Sequence, residues 1–400
     1  MGLKDKFMIG GWQAPPPTIK NYRTLVKCGL NTIFLNGDYT TDDTLLKKGV
    51  KAAERTGVSV ILEGKNNLNS PILFNNPFKN YNCIVGVNVY DEPTFSQLKD
   101  VAAVGDRVKA EYRDKAFYLN LLPSYSPPQA INSNFSRYIK EYAKIISEID
   151  GGGWLSFDYY PLERTDDGKF QLGKTWLNDV ETLSLTAKKY GLKPHFFIQS
   201  MAYGGAASRL HDRQPTIEDL RLQIYVYLSY GAKGFTHFCY QSPYTPEFNI
   251  DQTGLVIEDK RTDRWFLAKK VHNEISAFID EYAEMQFTGC VKVVGKNGDK
   301  TAFDGLNKFK FSDSKFIRSA KSDGNALIGV FKDENGKEGL VVVNYADTSE
   351  NISAKITLRF KTSAILSLYR KGKNKTKKVI KSTSFNLEKG EGVFITVENA

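Results

Sequence analysis

Residues 85–95 read VGVNVYDEPTF, a largely apolar run that ends in two adjacent carboxylates, Asp91 and Glu92, followed at once by Pro93. Carboxylates are costly to bury unless paired, so such a strand end belongs where water or a partner can reach it. Two uses compete for it. Asp-Glu-Pro fits the first turn of a helix that starts at Pro93 or Thr94. By itself the motif favours that helix start; at the end of an apolar strand it favours a proton-transfer site, where an apolar setting or a neighbouring negative charge keeps one carboxyl protonated. Adjacency alone does not couple the two acids, because successive strand residues point to opposite faces.

The surrounding elements decide between these uses. From residue 7 onward, short apolar runs alternate with helical patterns. The runs are FMIGGW (7–12), NTIFLNGD (31–38), VSVILEG (58–64), CIVGVNVYDEP (83–93), AFYLNLLP (116–123), GWLSFDYYP (153–161), PHFFIQS (194–200) and KGFTHFCYQSP (233–243). Thr18 is placed to cap the first helix and Gly29 to end it, and Gly57 ends the second. Residues 261–285 read as one further helix, with Val271, Ile275, Phe278, Ile279 and Tyr282 at helical spacing. Alternating strand and helix implies a parallel sheet, and eight such units in about 285 residues match a (β/α)8 barrel. No G-x-G-x-x-G follows the first strand, which disfavours a doubly wound open sheet. After residue 286 the chain turns to strand-like runs joined by turns, the pattern of an antiparallel β-sandwich. The expected domains are a barrel over 1–286 and a β-sandwich over 287–400.

In such barrels the active site forms where the C-terminal ends of the strands converge. The strand ends offer Trp12, Asn36, Asp38, Glu63, Asp91, Glu92, Asp158, Tyr160, Gln199 and Tyr240. Carboxylates, amides and flat aromatic rings together suit a carbohydrate: ring faces pack on Trp and Tyr, and hydroxyls need short polar partners. Breaking a glycosidic bond needs two carboxyl functions. Glu92 is the candidate acid, with Asp158 or Glu63 as the second. Trp12, Asn36, Asp38, Asp91, Tyr160, Gln199 and Tyr240 are the candidate substrate-binding residues, although Trp12 fits the core as well. Tyr125, Tyr203 and Tyr244 add aromatic side chains in loops. His195 and His237 read as structural histidines.

The net charge of +10 raises nucleic acid as a partner, but the densest basic run, KGKNKTKK (371–378), looks like a hairpin tip near the C-terminus. No basic face with interleaved aromatics occurs in the first 280 residues, so no nucleic-acid partner is expected. Cys28, Cys83, Cys239 and Cys290 are widely spaced and the chain has four histidines, which leaves no zinc signature. Buried free thiols are expected, with no metal and no cofactor. No run approaches the roughly 20 apolar residues of a membrane span, so no membrane partner is expected. The first residues carry no signal-peptide pattern, which places the chain in the cytoplasm as written, or outside it if a signal has been removed.

Together these features resemble the large clan of (β/α)8 glycoside hydrolases that carry Asn-Glu-Pro at the end of strand four. The resemblance implies that Glu92 of YDEP is the acid/base, with Asp91 where the clan has asparagine. Residues 213–243 resemble the last turns of glycosidase-like bacterial proteins, and LVVVNYADTSENISAKITL resembles the β-sandwich that often follows such barrels. The departure is at strand seven, where Gln199 stands in place of the clan's glutamate nucleophile. Three readings follow. The first is an inverting enzyme, with Glu92 as acid and Asp158 or Glu63 positioning water about 6.5–9.5 Å away. The second is substrate assistance, with Gln199 orienting an acetamido group. The third is a carbohydrate-binding barrel without hydrolysis.

Overall fold

The computed structural model describes residues 6–400 except 65, 75–77, 79, 133, 166, 203–212 and 244–252. Tyr203 and Tyr244 therefore lie outside the described residues. The chain forms two compact units. One comprises residues 1–166, 173–214 and 233–269, and the other 167–172, 215–232 and 270–400.

In the first unit eight parallel strands close into a barrel: β1 Met8–Gly11, β2 Thr32–Leu35, β3 Ser59–Glu63, β4 Ile84–Asp91, β5 Ala116–Leu121, β6 Trp154–Phe157, β7 Lys193–Gln199 and β8 Gly234–Phe238. The ring closes with Met8 opposite Gly234 and Gly11 opposite His237. Every run expected to be a strand is one. The helices alternating with them include α1 Ile19–Cys28, α2 Asp43–Thr56, α3 Leu98–Glu111, α4 Phe135–Ile149 and α5 Trp176–Tyr190. The Thr18 hydroxyl accepts from the Asn21 N–H at 3.2 Å to start α1. Gly29 and Gly57 end α1 and α2 with φ of 94° and 71°, a left-handed backbone that glycine adopts at little cost. Met8, Trp12, Phe34, Ile61, Tyr118, Trp154 and Phe197 fill the barrel interior, so it is a packed core rather than a pore.

The second unit contains helix α6, Ile217–Ser229, and nine antiparallel strands after residue 285. These are β9 Gln286–Val293, β10 Ile317–Ser322, β11 Ala326–Lys332, β12 Glu338–Asn344, β13 Ala354–Phe360, β14 Ala364–Arg370, β15 Lys373–Val379, β16 Ser382–Leu387 and β17 Gly392–Asn399. They form a six-stranded sheet in the order β9-β11-β12-β17-β14-β15 and a three-stranded sheet in the order β10-β13-β16. Ile328, Val342, Leu366 and Ile395 of the first sheet share a core with Ile317, Ile356, Leu358 and Leu387 of the second. This is the C-terminal sandwich that the change of pattern implies.

Two local expectations need correction. The single helix over 261–285 is two, α7 Asp263–Ile275 and a short turn at Ile279–Ala283. Between them the Ser276 hydroxyl donates to Asn273 O at 2.9 Å, and Phe278 leaves the helical region at φ −143°. The run at 371–378 is only partly a hairpin tip. Lys371 and Gly372 make the turn, and the remaining lysines belong to β15.

Candidate active site

Against β5, the register of β4 shifts between Asn88 and Tyr90, so that Tyr90 lies opposite Leu119 and Asp91 opposite Asn120. An irregularity of this kind re-aims the side chains beyond it. Glu92 then adopts a left-handed backbone, φ 53°, while its N–H still donates to Asn120 O at 2.8 Å. This conformation is uncommon for glutamate and persists where neighbouring contacts hold it. Those contacts come from α4. The Tyr138 phenol donates to Pro93 O and the Tyr142 phenol to Thr94 O, both at 2.7 Å. The Thr94 N–H donates to Gln97 Oε1 at 2.8 Å and opens the turn that leads into α3. The segment is at once a carboxylate-bearing strand end and the approach to a helix.

Shift and turn together cancel the alternation of the strand, and Asp91 and Glu92 act on each other and on Asp158, which lies one residue beyond β6. Glu92 and Asp158 lie within side-chain hydrogen-bonding reach of each other. All three carboxyls are raised above the usual carboxylate range, and burial is the largest cause in each. For Asp158 the negative charges of Glu92 and Asp91 add to it, and for Asp91 those of Glu92 and Glu63. For Glu92 the bond to Asp158 acts in the opposite direction. Asp158 is 7% exposed, whereas Glu92 as a residue stays exposed at the rim, so the carboxyl's own surroundings govern its shift. Two carboxyls this closely coupled resist joint ionisation, so they titrate as a unit. Asp158 Oδ1 is buried and has no hydrogen-bond partner among the described residues.

This contact bears on spacing. Carboxyls within hydrogen-bonding reach are far closer than the roughly 6.5–9.5 Å of an inverting pair. Asp158 is coupled directly to Glu92 rather than set apart from it.

Asn120, on β5, was not a candidate in the sequence. Its Nδ2 donates to Asp91 Oδ1 at 3.2 Å, and its amide also bonds Asp158. A buried chain fixes which way that amide points. Thr236 Oγ1 lies 3.1 Å from His195 Nε2, His195 Nδ1 lies 2.9 Å from Ser156 Oγ, and Ser156 donates to Asn120 Oδ1 at 3.2 Å. Tyr118 joins the chain at 2.7 Å from Ser156 and 3.0 Å from His195. Burial lowers His195 to about 3, so the ring is neutral and structural, as its apolar setting implies. Tyr125, one of the loop aromatics noted in the sequence, also joins the cluster. Its phenol feels the charges of Asp158 and Glu92, and its ring packs edge-on against Tyr159 at 4.9 Å. The lone amide in AFYLNLLP was the available signal for Asn120; Tyr125 had only its place in a loop.

The other candidates separate. Glu63 is buried and its charge reaches Asp91. Asn36 is buried, and its Oδ1 has no partner among the described residues. Trp12 packs in the barrel interior against Phe34 and Phe197 at 5.0 and 5.5 Å, and Tyr160 against Phe238 at 5.4 Å. Gln199 is buried and its Oε1 accepts from the Leu162 N–H at 2.8 Å, so that oxygen is already engaged. Asp38 is exposed on the one-turn helix Gly37–Thr40 and its carboxylate makes no hydrogen bond among the described residues. Tyr240 is 1% exposed and its phenol meets Trp265 and Cys28, so the structure does not bring it to the carboxylates. Among the described residues no set of three or more His, Cys, Asp or Glu side chains is arranged to hold a metal ion. The four cysteines are buried and unbridged.

No sequence-family model matches the chain, and no curated protein matches it by sequence. Solved structures do share its fold. A β-galactosidase from Bacillus circulans sp. alkalophilus superposes with a TM-score of 0.58 at 8% identity, covering 98% of this chain and 99% of that one. A GH27 β-L-arabinopyranosidase from Geobacillus stearothermophilus gives 0.55 at 8% identity, covering 100% and 97%. A β-galactosidase from the psychrophilic Marinomonas ef1 gives 0.52 at 10% identity over 72% of this chain and 63% of that one. The chain thus has the closed parallel barrel and β-rich C-terminal region found in these glycosidases.

Proposed function

We propose that the barrel is a glycoside hydrolase whose acid is the Glu92–Asp158 pair. The observation that carries this reading is the pair itself, two mutually coupled carboxyls at the strand ends of a closed barrel, one exposed and one buried. Glu92, the exposed member, reaches the substrate and delivers the shared proton to the leaving oxygen. Asp158, the buried member, holds that proton until it is needed. Asp91, raised by burial and its acidic neighbours and drawn down only by the Asn120 bond, is assigned to stabilise the cationic sugar carbon once it ionises. Tyr125 supplies a ring at the rim, and Asn36 and Glu63 supply polar contacts deeper in the mouth. The low-identity structural neighbours support the fold that this chemistry requires, and the acidic cluster supports the chemistry.

The test is release of sugar from a panel of aryl glycosides and oligosaccharides, with wild type beside Glu92→Gln. Loss of a general acid is expected to lower kcat by about 10²–10⁴ while ligand affinity changes little. Hydrolysis by Glu92→Gln at the wild-type rate would remove Glu92 from the mechanism. A second reading, a carbohydrate-binding barrel without turnover, draws on Gln199, which ends β7 with an amide engaged by the Leu162 N–H rather than a second acid. Sugar binding by wild type without hydrolysis of any panel member would favour it.

A further inference from the structure

One groove on the first unit is basic. Between α1, the strand pair Val256–Ile257 and Lys260–Arg261, and the start of α7 lies a groove of about 700 Å³. Its lining carries five cations, Lys20, Arg23, Lys27, Lys260 and Arg261, against one carboxylate, Asp259. Lys20 pairs with Asp259 at 3.2 Å. The other four are exposed and form no ion pair among the described residues. Lys20, Arg23 and Lys27 follow one stripe of α1 at spacings of three and four residues.

The floor of the groove is buried and hydrogen-bonded. Trp265 is 1% exposed, its indole N–H donates to Thr24 O at 3.3 Å, and its own carbonyl lies 3.5 Å from Cys28 Sγ. Above it the Arg261 guanidinium lies over the Trp265 and Phe266 rings at 5.0 and 5.1 Å. A guanidinium held beside two rings keeps donors for a carboxylate or sulfate, because the rings take none of its N–H groups as conventional hydrogen bonds. Phe266 is 50% exposed, a large apolar face left open beside these cations. A solvated basic stripe alone would not require it.

We infer that this groove is an accessory site for an acidic polysaccharide, its carboxylates or sulfates held by Arg23, Lys27 and Arg261 and a sugar face packed on Phe266. Four unpaired cations match repeated anions along a chain, and one exposed ring matches a pyranose face. Single-stranded nucleic acid would instead call for several stacking rings in succession, and the groove offers one. α1 begins on the side of the barrel where its strands end, so Lys20, in its first turn, lies on the face that carries the carboxylates. The inference shares with the proposed reaction only that the ligand is a glycan.

The experiment measures affinity of the whole chain for polygalacturonate, heparin and neutral dextran at 50 and 200 mM salt. Wild type is compared with Arg23→Ala/Lys27→Ala/Arg261→Ala and with a control, Lys373→Ala/Lys375→Ala/Lys378→Ala. Wild type is expected to bind one or both acidic glycans and not dextran, and the two arms separate carboxylate from sulfate recognition. The groove variant is expected to bind about tenfold more weakly, and its log–log salt slope to fall by about two to three units. The control is expected to stay within about twofold. Arg23→Gln/Lys27→Gln, which leaves Arg261 on its rings, is expected to show part of the same loss. Hydrolysis of small aryl glycosides, if present, should be unchanged in the groove variants, and Glu92→Gln should still bind the polyanion, so the two proposals fail separately. The inference is overturned if wild type binds neither acidic glycan at 50 mM salt, or if the loss appears in the control instead. It is overturned equally if single-stranded DNA of matched charge binds as tightly as the glycans.

Discussion

Asn120 occupies the position through which the rest of the barrel interior acts on the acids. Its donated bonds hold Asp91 and Asp158 lower than burial and mutual repulsion alone would leave them. Removing them raises both acids, so whichever ionised carboxylate the reaction needs forms at higher pH. Asn120→Ala is therefore expected to move the acidic limb of kcat/KM upward. It should also lower the plateau by about 10–100-fold, the value of one hydrogen bond to a charged group. A pH–rate profile of the two proteins checks this; a loss of rate with an unmoved limb would make Asn120 merely structural. At this scale the sequence was informative for acids and poor for faces. Glu92 and Asp158 stood out because a carboxylate at the end of an apolar run is conspicuous. Tyr240 stood out only as an aromatic ring near a strand end, and it meets Trp265 instead, because the direction of a side chain beyond a strand end is set by the packing around it.

At the scale of elements, the loop after β5 is tied to α5. The Ser124 N–H donates to Asp179 Oδ2 at 2.8 Å, in the first turn of that helix, and Tyr125 follows directly. Burial pushes Asp179 up to about 7, against the opposing bonds from Ser124. An acid raised in the folded state binds its proton more tightly there than in the unfolded chain. Its stabilising share is thus full below about pH 4 and is lost as pH rises through about 7. Asp179→Asn keeps an oxygen acceptor and removes the titration. Urea unfolding at pH 5 and pH 8 should show the variant gaining about 2–3 kcal/mol relative to wild type across that interval. An equal difference at both pH values would mean that Asp179 titrates normally. Element boundaries were largely legible, since Thr18, Gly29 and Gly57 act as caps through local geometry. The lysine run was legible in composition but not in role. On β15, an edge strand of the six-stranded sheet, it crowds charge along unpaired backbone and discourages pairing with another chain.

At the scale of the whole molecule, the second unit has its own buried ion pair as well as its own core. Arg221 Nε and Nη2 donate to Glu274 Oε2 and Oε1 at 2.9 and 2.6 Å, with both residues buried. Breaking one side leaves a buried charge without its partner. Glu274→Gln is expected to cost about 3–5 kcal/mol in chemical unfolding of the whole chain. Replacing both, as Arg221→Met/Glu274→Leu, should recover most of that loss, because an apolar pair of similar volume carries no desolvation penalty. A double variant no more stable than Glu274→Gln would show that the pair organises its surroundings in a way an apolar pair does not.

The sequence by itself determined the architecture: eight strand–helix units, the change to antiparallel strands, the caps, and the place where acids collect. These follow from periodicity and from residues whose preferences act over a few positions. Only the tertiary structure decided which acids touch. The shift in β4 and the left-handed Glu92 turn neighbouring side chains into one cluster, and that turn is held by Tyr138 and Tyr142 from an element more than forty residues away. Proton sharing depends on separations of a few ångströms between strands, a distance that no spacing along the chain encodes.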